Sequence, residues 1–454
     1  MGAGNTLFKD KGLLALIALF IVLTPVLLTP WVHGHDGLGY YMILRSFWID
    51  GDLDFTNEIS RFQDRFPDLT FPKSEITGLP YTHYGVGNAI LWTPFFAVAH
   101  GYVKFNHALG GGIPADGFSS PYITLVSFAS AFYAFLGLVF LYLTLRQYFS
   151  LAANLTATLL IWFATPLLYY MYLSPTVSHA NSFFSVTLFL FVWHKTRKAR
   201  TAKGWILLGL LSALVFLVRQ EDSVVFIVPA IESLMVYARK LPRIDMTLLK
   251  NNVLYLLALV VGVLPQFIFF NHVYGYWSVT GAQLKQHAFD PSNLFHAYKI
   301  FIAQDHGLFL WIPVSLLGII GWYFLAKKEK TMAIGALATL ILFVLFTASV
   351  KQWMALGSFS ARHFIGILSI FGWGIAALFA HLERRVPRPY LFCITGLFIA
   401  WNLNIIVQYG SGLLGLQDPM HLPTVLHNTI YELPQRIITI AKDFLFNRGS
   451  FIRP

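Results

Sequence analysis

Long runs of apolar residues, separated by short polar segments, dominate the chain from end to end. Many of these runs reach the roughly 20 residues that a helix needs to cross about 30 Å of hydrocarbon. The pattern predicts an all-α polytopic integral membrane protein with about eleven transmembrane helices. The predicted spans are 12–32, 121–145, 151–172, 179–194, 204–218, 222–238, 252–270, 306–325, 331–350, 362–381 and 389–408.

The first apolar run extends from Gly12 to Pro30 and follows Lys9 and Lys11, so it resembles a secretory signal peptide. It is longer than the apolar core of a typical signal peptide, and no small-x-small cleavage site follows it. We therefore expect this run to be retained as the first span.

Basic residues concentrate in short segments between the apolar runs, which is typical of cytoplasmic loops. The strongest of these segments are 195–203, 239–250, 327–330 and 384–388. All four segments lie on the cytoplasmic side if the amino terminus lies inside, the carboxyl terminus lies outside, and the apolar stretch 84–103 lies along the outer surface without crossing. The long segments 33–120, 271–305 and 409–454 are then all external.

This topology divides the chain into three parts. Residues 1–240 form a transmembrane module with the first external loop, 33–120. Residues 241–408 form a second transmembrane module with the external loop 271–305, and residues 409–454 form a tail. Within the tail, apolar residues at helical spacing over 433–446 predict either an interfacial amphipathic helix or an ordinary packing helix.

Composition excludes several classes of protein. The chain is 56% hydrophobic and only 12% charged, about half the charged fraction of soluble domains. The net charge of +11 resides in the short loops, so we expect no nucleic-acid partner. The absence of a P-loop and of a nucleophile elbow argues against a nucleotide-driven pump and a serine hydrolase. Cys393 is the single cysteine, so no disulfide forms within the chain.

The first candidate for chemistry is Asp36, which lies just after the first span in the sequence HGHDG. A carboxylate there lies at the level of the lipid headgroups, where it could accept a proton from an acceptor hydroxyl. Asp before Gly is also common in turns and helix caps. The residues alone leave both roles open.

The chain has a first span, then a long external loop that begins with an Asp, and then many further spans. This arrangement resembles the GT-C superfamily of glycosyltransferases. The nearest likeness is to the branch of protein O-mannosyltransferases and aminoarabinose transferases, and it covers most of residues 1–240. The segment YTHYGVGN at 81–88, followed by LWTPFF, looks like the part of the first loop that forms juxtamembrane helices in that family. The resemblance implies the GT-C fold, Asp36 as the general base, and His83 and Tyr84 at the substrate site.

The resemblance also implies a reaction. A polyprenyl-phosphate-linked sugar donates its monosaccharide to an acceptor hydroxyl on the non-cytoplasmic face, in one displacement that inverts the anomeric configuration. Because sugar nucleotides are cytoplasmic and every long loop is predicted outside, a lipid-linked donor is expected. Lipid, glycan and protein acceptors all stay open. The expected location is the bacterial inner membrane, among membrane lipids, with the active site on the periplasmic side.

Positive charge is needed beside the departing phosphate. Arg219 is the strongest candidate, since it lies in a short predicted external turn where an unpaired cation is costly. The neighbouring acids make a structural salt bridge the alternative, and Glu221 is therefore also a candidate at the site.

Arg362, at the predicted outer start of a span, is the second candidate for contact with the phosphate. Its alternative role is to extend towards the membrane interface. Lys285 and Lys351 are weaker candidates, because interfacial lysines are often only anchors. His179 opens the fourth predicted span and is expected either to contact substrate, a metal or Asp36, or to be a satisfied helix-end histidine.

No cofactor is expected with certainty. Several histidines share the predicted external face, but their spacings match no zinc signature. A divalent metal therefore stays open but is not included in the predicted site.

Two other functions remain open, namely a secondary transporter or flippase for lipid-linked sugars, and a polymerase or ligase of lipid-linked glycans. Transporters often show internal repeats and charged residues at mid-span, whereas here no repeat is visible and the charges gather at the predicted outer ends. Asp36→Asn separates these functions. An enzyme should fold and lose turnover, whereas a transporter whose Asp36 only caps a helix should keep its function.

Overall fold

The computed structural model describes residues 10–32, 34–63, 69–240, 245–277, 291–350, 357–415 and 419–447. Within these ranges the chain is built from helices, with an isolated antiparallel bridge between Lys73 and Pro80. The predicted all-α architecture is therefore confirmed.

The helices follow the apolar runs. In the first part of the chain they are α1 (Lys11–Leu27), α2 (Gly34–Arg45), α3 (Thr56–Gln63), α4 (Gly87–Ala108), α5 (Ser120–Leu145), α6 (Leu151–Phe163), α7 (Leu167–Tyr172), α8 (His179–Thr196), α9 (Ala202–Val218) and α10 (Ile227–Lys240). In the second part they are α11 (Met246–Tyr274), α12 (Lys299–Ile302), α13 (Leu308–Trp311), α14 (Val314–Ala326), α15 (Lys330–Ala348), α16 (Leu368–Leu382), α17 (Arg388–Gly410), α18 (Leu422–His427) and α19 (Leu433–Phe446).

Among the described residues, four helices are both long and apolar enough to cross a membrane, namely α5, α11, α15 and α17. Five shorter helices, α1, α6, α9, α14 and α16, are apolar as well. Each predicted span overlaps at least one of the observed helices. The number of eleven crossings stays a prediction.

Four predicted spans are interrupted, which the hydropathy pattern did not indicate. The run 151–172 breaks between α6 and α7, and the run 306–325 breaks between α13 and α14. The runs 222–238 and 362–381 each begin with a 3₁₀ turn, Gln220–Phe226 and Arg362–Ile365. Irregular backbone at membrane depth is tolerated where it is buried in protein or lines a cavity. The interruptions therefore indicate where a site could lie.

Helix α4 covers residues 87–103 of the stretch 84–103, which the predicted topology places along the outer surface. Its Asn88 lies near its start and accepts a hydrogen bond from Asn181, in the first turn of α8 (2.8 Å). Towards its other end, His100 is 2.7 Å from the hydroxyl of Tyr122, in the first turn of α5. Helices α5 and α8 both begin on the predicted outer side. These two contacts fix the helix against the starts of both neighbours, and whether 84–103 crosses the membrane stays a prediction.

The segment that leads into α4 packs directly against the end of α9. A Cβ on Gly85 or on Gly87 would collide with backbone atoms of Leu217. Backbone atoms of the two segments approach this closely because neither glycine carries a side chain. The final part of the first loop is thus fixed against the helix bundle.

The predicted amphipathic segment 433–446 is the helix α19. Ile440 is buried, whereas Ile438 and Phe446 are exposed. The helix is confirmed, and its contact with a membrane surface stays a prediction.

Candidate active site

A cavity of about 210 Å³ lies between the start of α2, the short helix α7, the segment 357–362 and the end of α17. Two residues predicted for the site, Asp36 and Arg362, line it together. The lining residues are Gly34, His35, Asp36, Tyr169, Tyr170, Ser174, Val177, Gly357, Ser358, Phe359, Arg362 and Tyr409.

Asp36 lies in the first turn of α2. A carboxylate is favoured there because the helix dipole places partial positive charge at the amino end. The helix begins at Gly34, whose φ of +52° belongs to the left-handed region that suits glycine. The Asp36 side chain is 32% exposed, so the carboxylate is accessible from the cavity.

Two donors hold the Asp36 carboxylate. Arg362 Nη1 donates to Oδ2 at 2.6 Å, and the hydroxyl of Tyr84 donates to Oδ1 at 2.5 Å. Burial acts to raise the pKa of Asp36, but the charge of Arg362 and these two hydrogen bonds outweigh burial and hold the pKa well below its usual range. Asp36 is therefore ionised at neutral pH.

Tyr84 is positioned by close aromatic packing. Its ring lies 4.3 Å from the ring of Tyr40 and 4.3 Å from that of His83, centroid to centroid. Burial and the nearby carboxylate raise the pKa of the Tyr84 phenol well above its ordinary value, so the hydroxyl stays a donor. A Cβ on Gly39 would overlap the Tyr84 ring. The predicted residues Tyr84 and His83 thus support Asp36 from behind the cavity lining.

Arg362 opens the 3₁₀ turn Arg362–Ile365 and follows Ser360, which has a φ of +62°. Such a conformation costs a non-glycine residue about 1–3 kcal/mol and persists only where the surroundings impose it. Two hydrogen bonds hold the preceding backbone. Tyr170 donates its hydroxyl to the carbonyl of Phe359 (3.1 Å), and His306 Nε2 donates to that of Ser358 (2.9 Å).

A second charged network surrounds Arg219, behind Tyr170. Arg219 donates to the Glu221 carboxylate and to His179 Nδ1, and its Nη2 lies 3.4 Å from His363 Nδ1. The Arg219 side chain is only 6% exposed and is not part of the cavity lining. Arg219 and Glu221 therefore form the salt bridge that the sequence offered as the alternative. His179 is a buried partner of Arg219, and its ring meets that of Tyr170 edge to face at 4.5 Å.

Sequence reasoning missed the aromatic side of the cavity. Tyr169 and Phe359 stack with ring centroids 4.5 Å apart, and Tyr409 meets both rings edge-on. In the predicted external segment 271–305, Tyr274 donates its hydroxyl to the carbonyl of Thr82 and supports the first loop (2.9 Å). The available signal was a pair of tyrosines, Tyr169 and Tyr170, three and four residues after the proline of the Thr-Pro that interrupts the span 151–172.

The predicted residues Lys285 and Lys351 lie outside the described residues. Across the described ranges, no group of three or more His, Cys, Asp or Glu side chains is placed to hold a metal ion. The described site therefore consists of one ion pair, one supporting phenol and an aromatic surface.

The sequence matches no protein-family model, and no curated protein matches it. Solved structures do match. ArnT from Cupriavidus metallidurans in the apo state is 13% identical with a TM-score of 0.51, over 98% of this chain and 75% of that chain. ArnT bound to undecaprenyl phosphate gives 12% identity and a TM-score of 0.47, over 96% and 75% of the two chains. The archaeal oligosaccharyltransferase AglB from Archaeoglobus fulgidus, in complex with an inhibitory peptide and a dolichol-phosphate, is 14% identical with a TM-score of 0.42, over 98% of this chain and 56% of that chain.

At these identities the likeness to apo ArnT establishes the fold and not the activity. It extends over nearly the whole chain, including the second half, for which the sequence offered no specific motif. The fold implied by the sequence resemblance is confirmed: this chain has the fold of the GT-C superfamily.

Proposed function

We propose that this protein is a membrane glycosyltransferase that moves a monosaccharide from a polyprenyl-phosphate donor to an acceptor hydroxyl with inversion. The observation that carries the proposal is the contact between Asp36 and Arg362 within one cavity. A carboxylate and a guanidinium side by side supply the proton acceptor and the phosphate-binding cation that this reaction needs. The GT-C fold supports the same class of reaction.

In the proposed reaction, the acceptor oxygen attacks the anomeric carbon from the side opposite the phosphate. The acceptor proton moves to Asp36, while the bond from the anomeric carbon to the phosphate oxygen breaks and its electron pair stays on the phosphate. Arg362 stabilises the charge that develops there. A single displacement leaves no covalent sugar intermediate, so the configuration inverts.

The other residues around the cavity fit supporting roles. The faces of Tyr169, Phe359 and Tyr409 offer an apolar surface for the C–H face of a sugar ring. The Arg219 network stabilises the side of the cavity that Tyr170 forms. A lipid-linked donor, and a periplasmic site in a bacterial inner membrane, are supported by the predicted external position of every long loop. Lipid, glycan and protein acceptors stay open.

The proposal is tested with the purified full-length protein and a panel of polyprenyl-phosphate sugars, with release or transfer of the sugar as the measurement. We expect turnover of at least one donor, and a loss of about 10²- to 10⁴-fold in Asp36→Ala, the range typical of a general base. Glu75→Gln, at an exposed acid of the same loop, is the matched control and should keep its rate.

An Asp36→Ala protein that retains the wild-type rate would contradict the assignment of the base. Movement of an intact lipid-linked sugar across a vesicle membrane, without cleavage of the glycosidic bond, would instead identify a flippase.

A further inference from the structure

The arginine that lines the cavity and the arginine behind it are each already paired with a carboxylate. Arg362 is paired with Asp36, which lines the cavity, and Arg219 is paired with Glu221 behind it. His179 adds no positive charge while its Nδ1 accepts the hydrogen bond from Arg219. The two described arginines therefore offer an arriving phosphate no positive charge in excess of their carboxylate partners.

We propose that the donor phosphate replaces the Asp36 carboxylate on Arg362, so that Asp36 acts as a base only after the donor has bound. The proposal rests on the function proposed above and concerns the order of events at the same site. Asp36 occupies the place on Arg362 that the phosphate of the donor will take.

The geometry makes this exchange feasible. The side chains of Asp36 and Arg362 are 32% and 19% exposed and both line the cavity, so a ligand can reach the ion pair. Arg362 Nε is buried and donates to no described acceptor, so the bond to Asp36 is one of few contacts that orient the guanidinium. A phosphate that binds in this place would meet a hydrogen-bond donor that is already aligned.

The carboxylate also has room to leave. Asp36 lies in the first turn of α2, and its side chain is 32% exposed and lines the cavity, so open space lies beside the carboxylate. Its Oδ1 is bonded to Tyr84 and its Oδ2 to Arg362. A rotation of the side chain can therefore release Oδ2 while the bond to Tyr84 keeps the carboxylate close to the acceptor.

The exchange links binding of the sugar donor to the proton affinity of the Asp36 carboxylate. Arg362 is the main charge that favours the ionised form of Asp36. Once a phosphate neutralises that guanidinium, the carboxylate gains affinity for a proton, which is what a general base requires. After transfer, the proton on Asp36 passes to solvent, and the carboxylate competes with the departing lipid phosphate for Arg362. The same side chain then promotes product release.

The test is a binding measurement that needs no turnover. Farnesyl phosphate, a short lipid phosphate, is titrated against the full-length protein in detergent, with farnesol as the uncharged control ligand. We expect Asp36→Asn and Asp36→Ser each to bind farnesyl phosphate at least about tenfold more tightly than the wild type, because the competing carboxylate is gone. Farnesol affinity should not change. Thermal unfolding of each variant shows that it is folded.

Two further variants locate the effect. Arg362→Gln should weaken binding of farnesyl phosphate, and adding Asp36→Asn to it should no longer tighten binding, because the contested cation is absent. Glu75→Gln removes a negative charge from the same loop at an exposed position, and it should leave the affinity unchanged.

The outcomes separate the two proposals. If the wild type binds farnesyl phosphate and neither Asp36 variant binds it more tightly, the exchange is refuted, while the donor panel still decides the proposed function. If both Asp36 variants also gain affinity for farnesol, the effect is not competition at Arg362, and the exchange is again refuted. If no folded variant binds farnesyl phosphate and no donor is turned over, the proposed function fails and the exchange with it.

Discussion

Gly39→Ala tests whether Tyr84 must approach Asp36 as closely as it does. A Cβ at residue 39 would overlap the Tyr84 ring and would lie 3.3 Å from Thr82 Oγ1. To restore the usual carbon–carbon contact of about 3.5 Å, the ring must retreat by more than about 1 Å. The hydroxyl of Tyr84, now 2.5 Å from Asp36 Oδ1, would then lose its hydrogen bond, because the ring of Tyr40 restricts any compensating tilt.

The magnitude follows from that lost hydrogen bond. A hydrogen bond to a charged group contributes about 1.5–3 kcal/mol, which corresponds to roughly a 10- to 150-fold loss in kcat/KM if the bond is needed in the transition state. Overpacking costs typically 1–3 kcal/mol of stability, partly offset by about 1 kcal/mol from the better helix propensity of alanine. We therefore expect a large loss of activity with a small change in thermal stability.

The assay is steady-state turnover of whichever donor the panel identifies, together with thermal unfolding. Gly101→Ala is the matched control, since Gly101 lies within α4 and a Cβ there would meet nothing within 4 Å; it should keep full activity. Tyr84→Phe removes the hydroxyl without a clash and should reproduce the kinetic loss. A folded Gly39→Ala protein with wild-type kcat/KM would refute the supporting role of Tyr84.

Four further predictions follow from the described contacts. Arg219→Ala leaves the partly exposed Glu221 carboxylate without its partner and should lower the free energy of unfolding by about 1–3 kcal/mol, measured by thermal or denaturant unfolding; an unchanged stability would contradict the network. Burial raises the pKa of Glu58 to about 7, so the native carboxyl binds more protons than the unfolded one between pH 4.5 and 7. Stability should therefore fall as the pH rises through that interval, and Glu58→Gln should abolish this slope. Tyr169→Leu should raise KM for the donor by about 2- to 12-fold, the worth of an aromatic contact, with a smaller effect on kcat; equal KM values would exclude sugar contact there. In a Cys393→Ser background, the exposed Gly112→Cys should react with a membrane-impermeant maleimide from outside the cell, and labelling only from the cytoplasm would overturn the predicted topology.

The helices were the easiest part of the structure to predict from the sequence. In lipid, backbone groups must be satisfied within the segment, so an apolar run of sufficient length has few options other than a helix. The observed helices accordingly begin and end close to the predicted bounds, as in α5 and α8. The interruptions were not predictable, since a hydropathy average does not respond to a few irregular residues within an apolar run.

The ion pair of the site was only half predictable. Asp36 and Arg362 each stood out as charges next to an apolar run, which is costly without a function or a partner. Their direct contact was not foreseen, because 326 positions separate them and the hydropathy pattern carries no information on such pairs. The aromatic surface was missed for a different reason, since Tyr169 and Tyr409 look like ordinary residues of apolar helices until the fold brings them together.

The close approach of Gly85 and Gly87 to Leu217 makes the geometry of the site depend on residues that take no part in its chemistry. Main-chain atoms contact main-chain atoms here, so no flexible side chain can move aside for an added methyl group. A substitution at either glycine must therefore shift the backbone segment that carries Tyr84. Loss-of-function alleles should therefore cluster at these two positions although neither contributes a reactive group, and their defects should be ones of alignment.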